Sequence, residues 1–401
     1  MTKFKRVAVA VGSVMAACAA LPAHAADDAV KIGLITDMSG LYADIDGQGG
    51  VEAIKMAIAD FGGKVLGKPI EFVSADHQNK ADIAASKARE WFDRDGVTLL
   101  VGGTNSATGL SMNTVAGEKK KVYINIGAGA DTLTNEQCTP YTVHYAYDTM
   151  ALARGTGSAV VKRGGKSWFF LTADYAFGKS LEKNTADVVK ASGGTVVGQV
   201  LHPLNASDFS SFLLQAQTSK AQILGLANAG GDTVNSIKAA KEFGVNKTMQ
   251  LAGLLMFISD VHSLGLDATQ GMYVTDSWYW NKDDETRKFS SRFFDKTRKE
   301  PTSVQAADYS AVTTYLKAVQ AVGSTDADKV MAELKKTKIN DFYAQGGYVR
   351  EDGVMVHNMY LMQVKKPSES KEPWDYYNVV ETIPGEQAFG TKAETRCALW
   401  K

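Results

Sequence analysis

The feature that most limits what this chain can fold into is a repeated order: a short β-branched run, a glycine turn, then a helical segment. Val30–Thr36 (VKIGLIT) reads as a buried strand. Residues 49–61 then carry Val51, Ile54, Ala57, Ile58 and Phe61 at helical spacing, and Gly62-Gly63 stops the helix. Strands are expected at 70–75, 97–101 and 122–126, with a helix over 80–94. A second series follows Asp148. It has strands at 168–172, 195–201, 223–227, 249–252 and 272–275, and helices at 178–192, 209–218 and 233–243. Strands alternating with helices of this length imply βαβ units and parallel sheets. Two such series in 401 residues give an α/β chain with two doubly wound lobes, each large enough for its own core. No low-complexity linker separates them, so short segments must join them.

The first 25 residues stand apart. Lys3, Lys5 and Arg6 precede an apolar run over 7–20, and Ala23-His24-Ala25 is an A-x-A cleavage site. This is the pattern of a secretory signal peptide over residues 1–25, too short to span a bilayer. Its removal leaves two cysteines, Cys138 and Cys397, since Cys18 lies inside the leader. An even pair in an oxidising compartment reads as one disulfide, with two separate thiols as the alternative. A lipid anchor on Cys18 is the weaker reading, because Met15-Ala16-Ala17 lacks the leucine-rich approach to a lipidated cysteine.

Catalytic and cofactor motifs fail on spacing. Gly165-Lys166-Ser167 and Gly178-Lys179-Ser180 lack the upstream glycine of a phosphate loop, which would fall at Val160 and Ala173. Gly127-Ala128-Gly129 has threonine at 132 where a dinucleotide turn has its third glycine. The six histidines show no metal spacing, and no G-x-S-x-G elbow occurs. With 44 basic and 44 acidic residues there is no basic excess for nucleic acid. The chain therefore reads as an exported binder, not an enzyme, with no cofactor, no metal and no nucleic-acid partner.

Several segments, in order, resemble one family. They are VKIGLITDMSG at 30–40, the helix at 47–60, Gly102-Gly103-Thr104-Asn105-Ser106, the run Asn125 to Thr134, and Asp174-Tyr175-Ala176-Phe177-Gly178. Together they resemble the periplasmic solute-binding proteins of the branched-chain amino acid (leucine/isoleucine/valine-binding, type I) ABC importers. The resemblance implies two lobes joined by three crossovers, with a ligand cleft between them. By position the crossovers fall near 145–149, 277–280 and 344–348. Lobe one is then 27–147 plus 279–345, and lobe two is 148–278 plus 346–401. It also implies a small-molecule ligand, a membrane permease as partner, a periplasmic location and a monomer. The ligand carboxylate would meet the turn at Asn105 and Ser106 and the turn at Gly127, Ala128 and Gly129.

One departure bears on the ligand. The family's amino-acid binders hold the ammonium with an acid in lobe two, and alignment places Leu254 there. A buried ammonium without a carboxylate is strongly disfavoured. The family's lobe-two tyrosine aligns with Phe177, with Tyr175 close by. Aromatic residues crowd the expected cleft: Tyr42, Tyr147, Tyr175, Phe177 and the run Trp278-Tyr279-Trp280. A strand alternates faces, so at least one of the last three, with Trp278 named first, is expected to face the cleft. The favoured ligand is an aromatic acid; a branched-chain amino acid or amide, or a receptor feeding a chemosensor, is the alternative.

Overall fold

The structure, a computed structural model, describes residue 2 and residues 29–400. The leader, its cleavage site and Cys18 lie outside the described residues.

The first sheet has six strands in the order β2-β3-β1-β4-β5-β6. Its strands are β1 (Val30–Thr36), β2 (Lys64–Val65), β3 (Lys68–Asp76), β4 (Val97–Gly102), β5 (Val122–Asn125) and β6 (Thr142–His144). All are parallel except β2, which forms a hairpin with β3. β1 is buried along almost its whole length because helices cover both faces of the sheet, the usual condition of a parallel strand. Gly33 is needed here: a Cβ would lie 2.5 Å from the ring of Trp91, which packs on that face.

The second sheet has four parallel strands, ordered β10-β9-β7-β8. These are β7 (Ser167–Ala173), β8 (Thr195–His202), β9 (Ile223–Ala227) and β10 (Gln250–Gly253). The next strand, β11 (Tyr273–Asp276), departs from the expected parallel series. It pairs antiparallel with β15 (Met359–Val364), which pairs in turn with β16 (Tyr377–Ile383). A small antiparallel sheet of β12 (Ile339–Asn340), β13 (Gln345–Val349) and β14 (Met355–Val356) lies between them in sequence.

After β11 the helices Asp284–Thr297, Ser303–Val322 and Ala327–Lys336 return to elements of the first sheet. Ser303–Val322 starts at a capping box formed by Thr302 and Gln305 and packs along the helix Gly47–Asp60. Val354 bridges to His144, which keeps 345–356 beside the first sheet.

One expectation is corrected by this geometry. Residues 278–280 lie beyond the end of β11 and are not a strand, so face alternation does not apply to them. Trp278 is packed edge-on against Phe289 and Phe342, and its indole N–H donates to the Phe342 carbonyl at 3.2 Å. Tyr279 packs at a tilt against Tyr377, and the Trp280 indole donates to the Trp374 carbonyl. All three are buried.

The expected disulfide is present. Cys138 and Cys397 are bonded, with Cα atoms 5.7 Å apart across 259 residues of chain.

Candidate functional site

The segments that leave the C-terminal ends of the strands in both parallel sheets converge on one small cavity. From the first sheet, β1 leads to Tyr42 and Ile45, β4 to Thr104, β5 to Gly127 and β6 to Tyr147. From the second, β7 leads to Tyr175 and Phe177, β9 to Ala229, and β10 to Leu255 and Phe257. This is where parallel α/β sheets place ligands, because the strand ends diverge and helix N-termini face the gap. Five of these ten residues are aromatic and none carries an ionised side chain.

The walls touch. The hydroxyls of Tyr42 and Tyr175 are 2.7 Å apart. The Gly231 amide donates to the Leu41 carbonyl at 3.0 Å. Gly230 sits at φ +56°, and a Cβ there would be 2.6 Å from the Leu41 carbonyl, so only glycine allows this approach. The cavity measures about 10 Å³, room for about one water. A solute can enter only if the walls part.

The sequence-predicted residues divide into three groups. Tyr42, Gly127, Tyr147, Tyr175 and Phe177 all line the cavity. Asn105, Ser106, Ala128 and Gly129 form the framework behind it. Asn105 caps the helix Ser106–Lys119, its Oδ1 accepting from the amides of Ala107 and Thr108, while its Nδ2 is buried without a partner. The Ser106 hydroxyl accepts from the Ala130 amide at 3.1 Å, which ties the two turns together. The Ala128 carbonyl accepts from Asn125 Nδ2, and the Gly127 carbonyl accepts from the Tyr147 hydroxyl at 2.9 Å. A Cβ on Gly129 would meet Phe177 at 3.0 Å and Tyr147 at 3.2 Å, so glycine lets both rings lie against the turn. Trp278 stands apart, as described.

Sequence reasoning missed Ile45, Thr104, Ala229, Leu255 and Phe257. Thr104 could have been found, since it directly follows Gly102-Gly103 at a strand end. Leu255, one position beyond the Leu254 that alignment singles out, is the leucine on the cavity wall.

Burial pushes the hydroxyls of Tyr42, Tyr147 and Tyr175 well above their usual pKa, so all three are neutral hydrogen-bonding groups. Close to the wall, Asp232 opens the helix Gly231–Glu242. Its Oδ2 accepts from the Asn205 amide at 3.1 Å, its Oδ1 is buried without a partner, and burial pushes its carboxyl to about 6. The arrangement can hold a flat apolar group between rings and offer neutral hydroxyls at its edge.

Two α/β units whose strand ends meet around a cavity between them have the architecture of a bilobed solute-binding protein. The sequence profile described as "Periplasmic binding protein" matches residues 29–371, and the chain belongs to that family. A periplasmic binding protein from Burkholderia mallei is 81% identical, covers 93% of this chain and 100% of its own, and superposes with a TM-score of 0.92. A branched-chain amino acid ABC transporter periplasmic ligand-binding protein from Burkholderia xenovorans LB400 is 44% identical with the same coverage and a TM-score of 0.83. The Leu/Ile/Val-binding protein homolog 6 of Brucella melitensis is 26% identical over 98% of this chain and 100% of its own length. A solute-binding protein of an ABC transporter from Rhodopseudomonas palustris, solved with 4-hydroxybenzoate, shares the fold. It has a TM-score of 0.81 at 23% identity and covers 89% of this chain and 98% of its own. The family is one of solute-binding proteins of ABC transporters, not of enzymes, and membership implies a small-molecule ligand and a permease. Among the described residues no helix is long and apolar enough to cross a membrane.

Proposed function

We propose that this protein captures a small aromatic carboxylate between its lobes and delivers it to the permease of an ABC importer. The single observation that carries this reading is the cavity wall: five aromatic residues and no charged side chain, at the strand ends of both sheets. Such a wall suits a ring, not an ammonium group. The carboxylate goes to the lobe-one turns, where the Ser106 hydroxyl retains a proton to donate. The rings of Tyr147 and Phe177 sandwich the ligand. The protein works as a monomer in the periplasm, released there by cleavage after Ala25. The lobes are 27–147 plus 279–345 and 148–278 plus 346–401.

Asp232 favours a second reading. Its unpartnered oxygen lies near both Tyr42 and Tyr175, and it could receive the ammonium of a branched-chain amino acid. The relative from Burkholderia xenovorans carries such a description. The test is mass spectrometry of small molecules released when protein purified from the periplasm is denatured. An aromatic acid in near-stoichiometric amount is expected. Leucine, isoleucine or valine in its place would overturn the favoured reading.

A further inference from the structure

Behind the cavity, Asp46 and Asp308 are both fully buried, one at the start of the helix Gly47–Asp60 and the other inside Ser303–Val322. Their oxygens converge on Gly50: a Cβ there would lie 1.9 Å from Asp46 Oδ1 and 2.7 Å from Asp308 Oδ2. Those two oxygens and Asp308 Oδ1 have no donor from any other group. As two ionised carboxylates they would face each other desolvated and unpaired, an arrangement that costs several kcal/mol per ion. One proton on the pair turns the same adjacency into an O–H···O bond.

A chain of hydroxyls leads from this pair to the cavity. Asp46 Oδ2 accepts from the Thr36 hydroxyl at 2.5 Å. The Thr36 oxygen lies 3.4 Å from the hydroxyl of Thr104, which lines the cavity. Having given its own proton to Asp46, Thr36 can only accept from Thr104. Thr104 in turn accepts from the Asp37 amide at 3.3 Å. His77 Nε2 lies 3.4 Å from it, and because His77 Nδ1 accepts from the Asn79 amide, Nε2 carries the ring proton. Every proton along the chain therefore points inward, toward Asp46.

We propose that Asp46 and Asp308 share one proton, Asp308 holding it and Asp46 remaining ionised, and that this pair fixes the direction of the Thr36 and Thr104 hydroxyls. Asp46 and Asp308 are thus positioning residues. They turn the Thr104 proton away from the ligand and leave carboxylate recognition to Ser106 and the backbone amides of the two turns. The titratable groups facing the pair and its chain are Asp37, from the loop after β1, His77, just after β3, and the neutral hydroxyl of Tyr147, after β6. Burial, together with Asp46, holds the Asp308 carboxyl well above the usual range, in keeping with the geometry. The consequence for ligand rests on the cleft reading above; the proton does not.

The test needs no ligand. Infrared spectroscopy of the full-length mature protein at about pH 9 reports the carbonyl stretch of protonated carboxylic acids. Other buried acids pushed to about 7, among them Asp148, Asp260 and Asp276, are ionised by then. The wild type should retain one such band. It should vanish in Asp308→Asn. In Asp46→Asn, where burial still keeps Asp308 protonated, it should remain but shift in frequency, because its acceptor changes from a carboxylate to an amide; cooperative melting confirms the fold of both variants. Absence of the band in the wild type, its persistence in folded Asp308→Asn, or an unshifted band in Asp46→Asn would overturn the proposal.

Discussion

At the level of single residues, the cleft depends on contacts that can be removed one at a time. Changing Tyr175→Phe removes the hydroxyl that meets Tyr42 across the cavity. A net hydrogen bond is worth about 0.5–1.5 kcal/mol, so affinity for 4-hydroxybenzoate should fall by about two- to tenfold while the melting temperature stays put. An unchanged dissociation constant would mean that this contact does not favour the closed form. Gly129→Ala acts differently, since the new methyl presses on Phe177 and Tyr147. It should cost about 1–3 kcal/mol of stability and weaken binding as well, measurable by denaturant titration and calorimetry. Asp276 offers a pH test. Burial pushes its carboxyl to about 7, above its value in the open chain. It is protonated in the fold where the open chain is ionised, so its contribution is greatest below about pH 4 and is lost as pH rises toward 7. Wild type should lose stability relative to Asp276→Asn across that window, by at most about 4 kcal/mol, and run parallel to it above. Residue-level detail is also where the sequence was hardest to read. Leu254 and Leu255 are adjacent leucines, and no property of the pair says which one faces the cavity. Only the path of the chain beyond β10 decides it.

Regular elements were legible wherever one face is apolar and the other polar, or where a β-branched run is bounded by glycine. β1 and β9 match the residues expected of them. The helix Ser106–Lys119 gave no such signal. Its buried positions include Ser106, Thr108, Gly109 and Asn113, so polar and small residues point inward and the apolar stripe disappears. The run 278–280 misled for the opposite reason: three aromatics suggested a strand, but the chain has already left β11, and Tyr279 and Trp280 pack edge-on against each other. The C-terminal segment is held by more than its disulfide. Arg154 donates to the carbonyls of Gln387 and Phe389 and pairs with Glu394, and Arg350 reaches the Gly390 carbonyl. None of these residues lines the cavity. Replacing Cys138 and Cys397 by serine should lower the melting temperature while affinity changes less than twofold. Loop-closure entropy across 259 residues sets an upper bound of about 5.6 kcal/mol on the loss. An unchanged melting temperature would show that the polar contacts hold the tail without the covalent bond.

For the molecule as a whole, a cavity of about 10 Å³ walled by both sheets means that binding and opening are one problem. A ligand that touches both walls favours the closed arrangement in proportion to its extra contacts there. Small-angle scattering should therefore show a smaller radius of gyration with saturating 4-hydroxybenzoate than without it. The bilobed plan could be read from the order of strands and helices, but the meeting of the two sets of strand ends could not, because it depends on long-range packing. The central claim is that the aromatic, uncharged wall selects an aromatic acid. Calorimetric titration of the purified mature protein with 4-hydroxybenzoate and with L-leucine tests it most directly. The aromatic acid should bind with one-to-one stoichiometry and at least tenfold more tightly than leucine. Tight leucine binding with no heat from 4-hydroxybenzoate would contradict it and would assign the ammonium to Asp232.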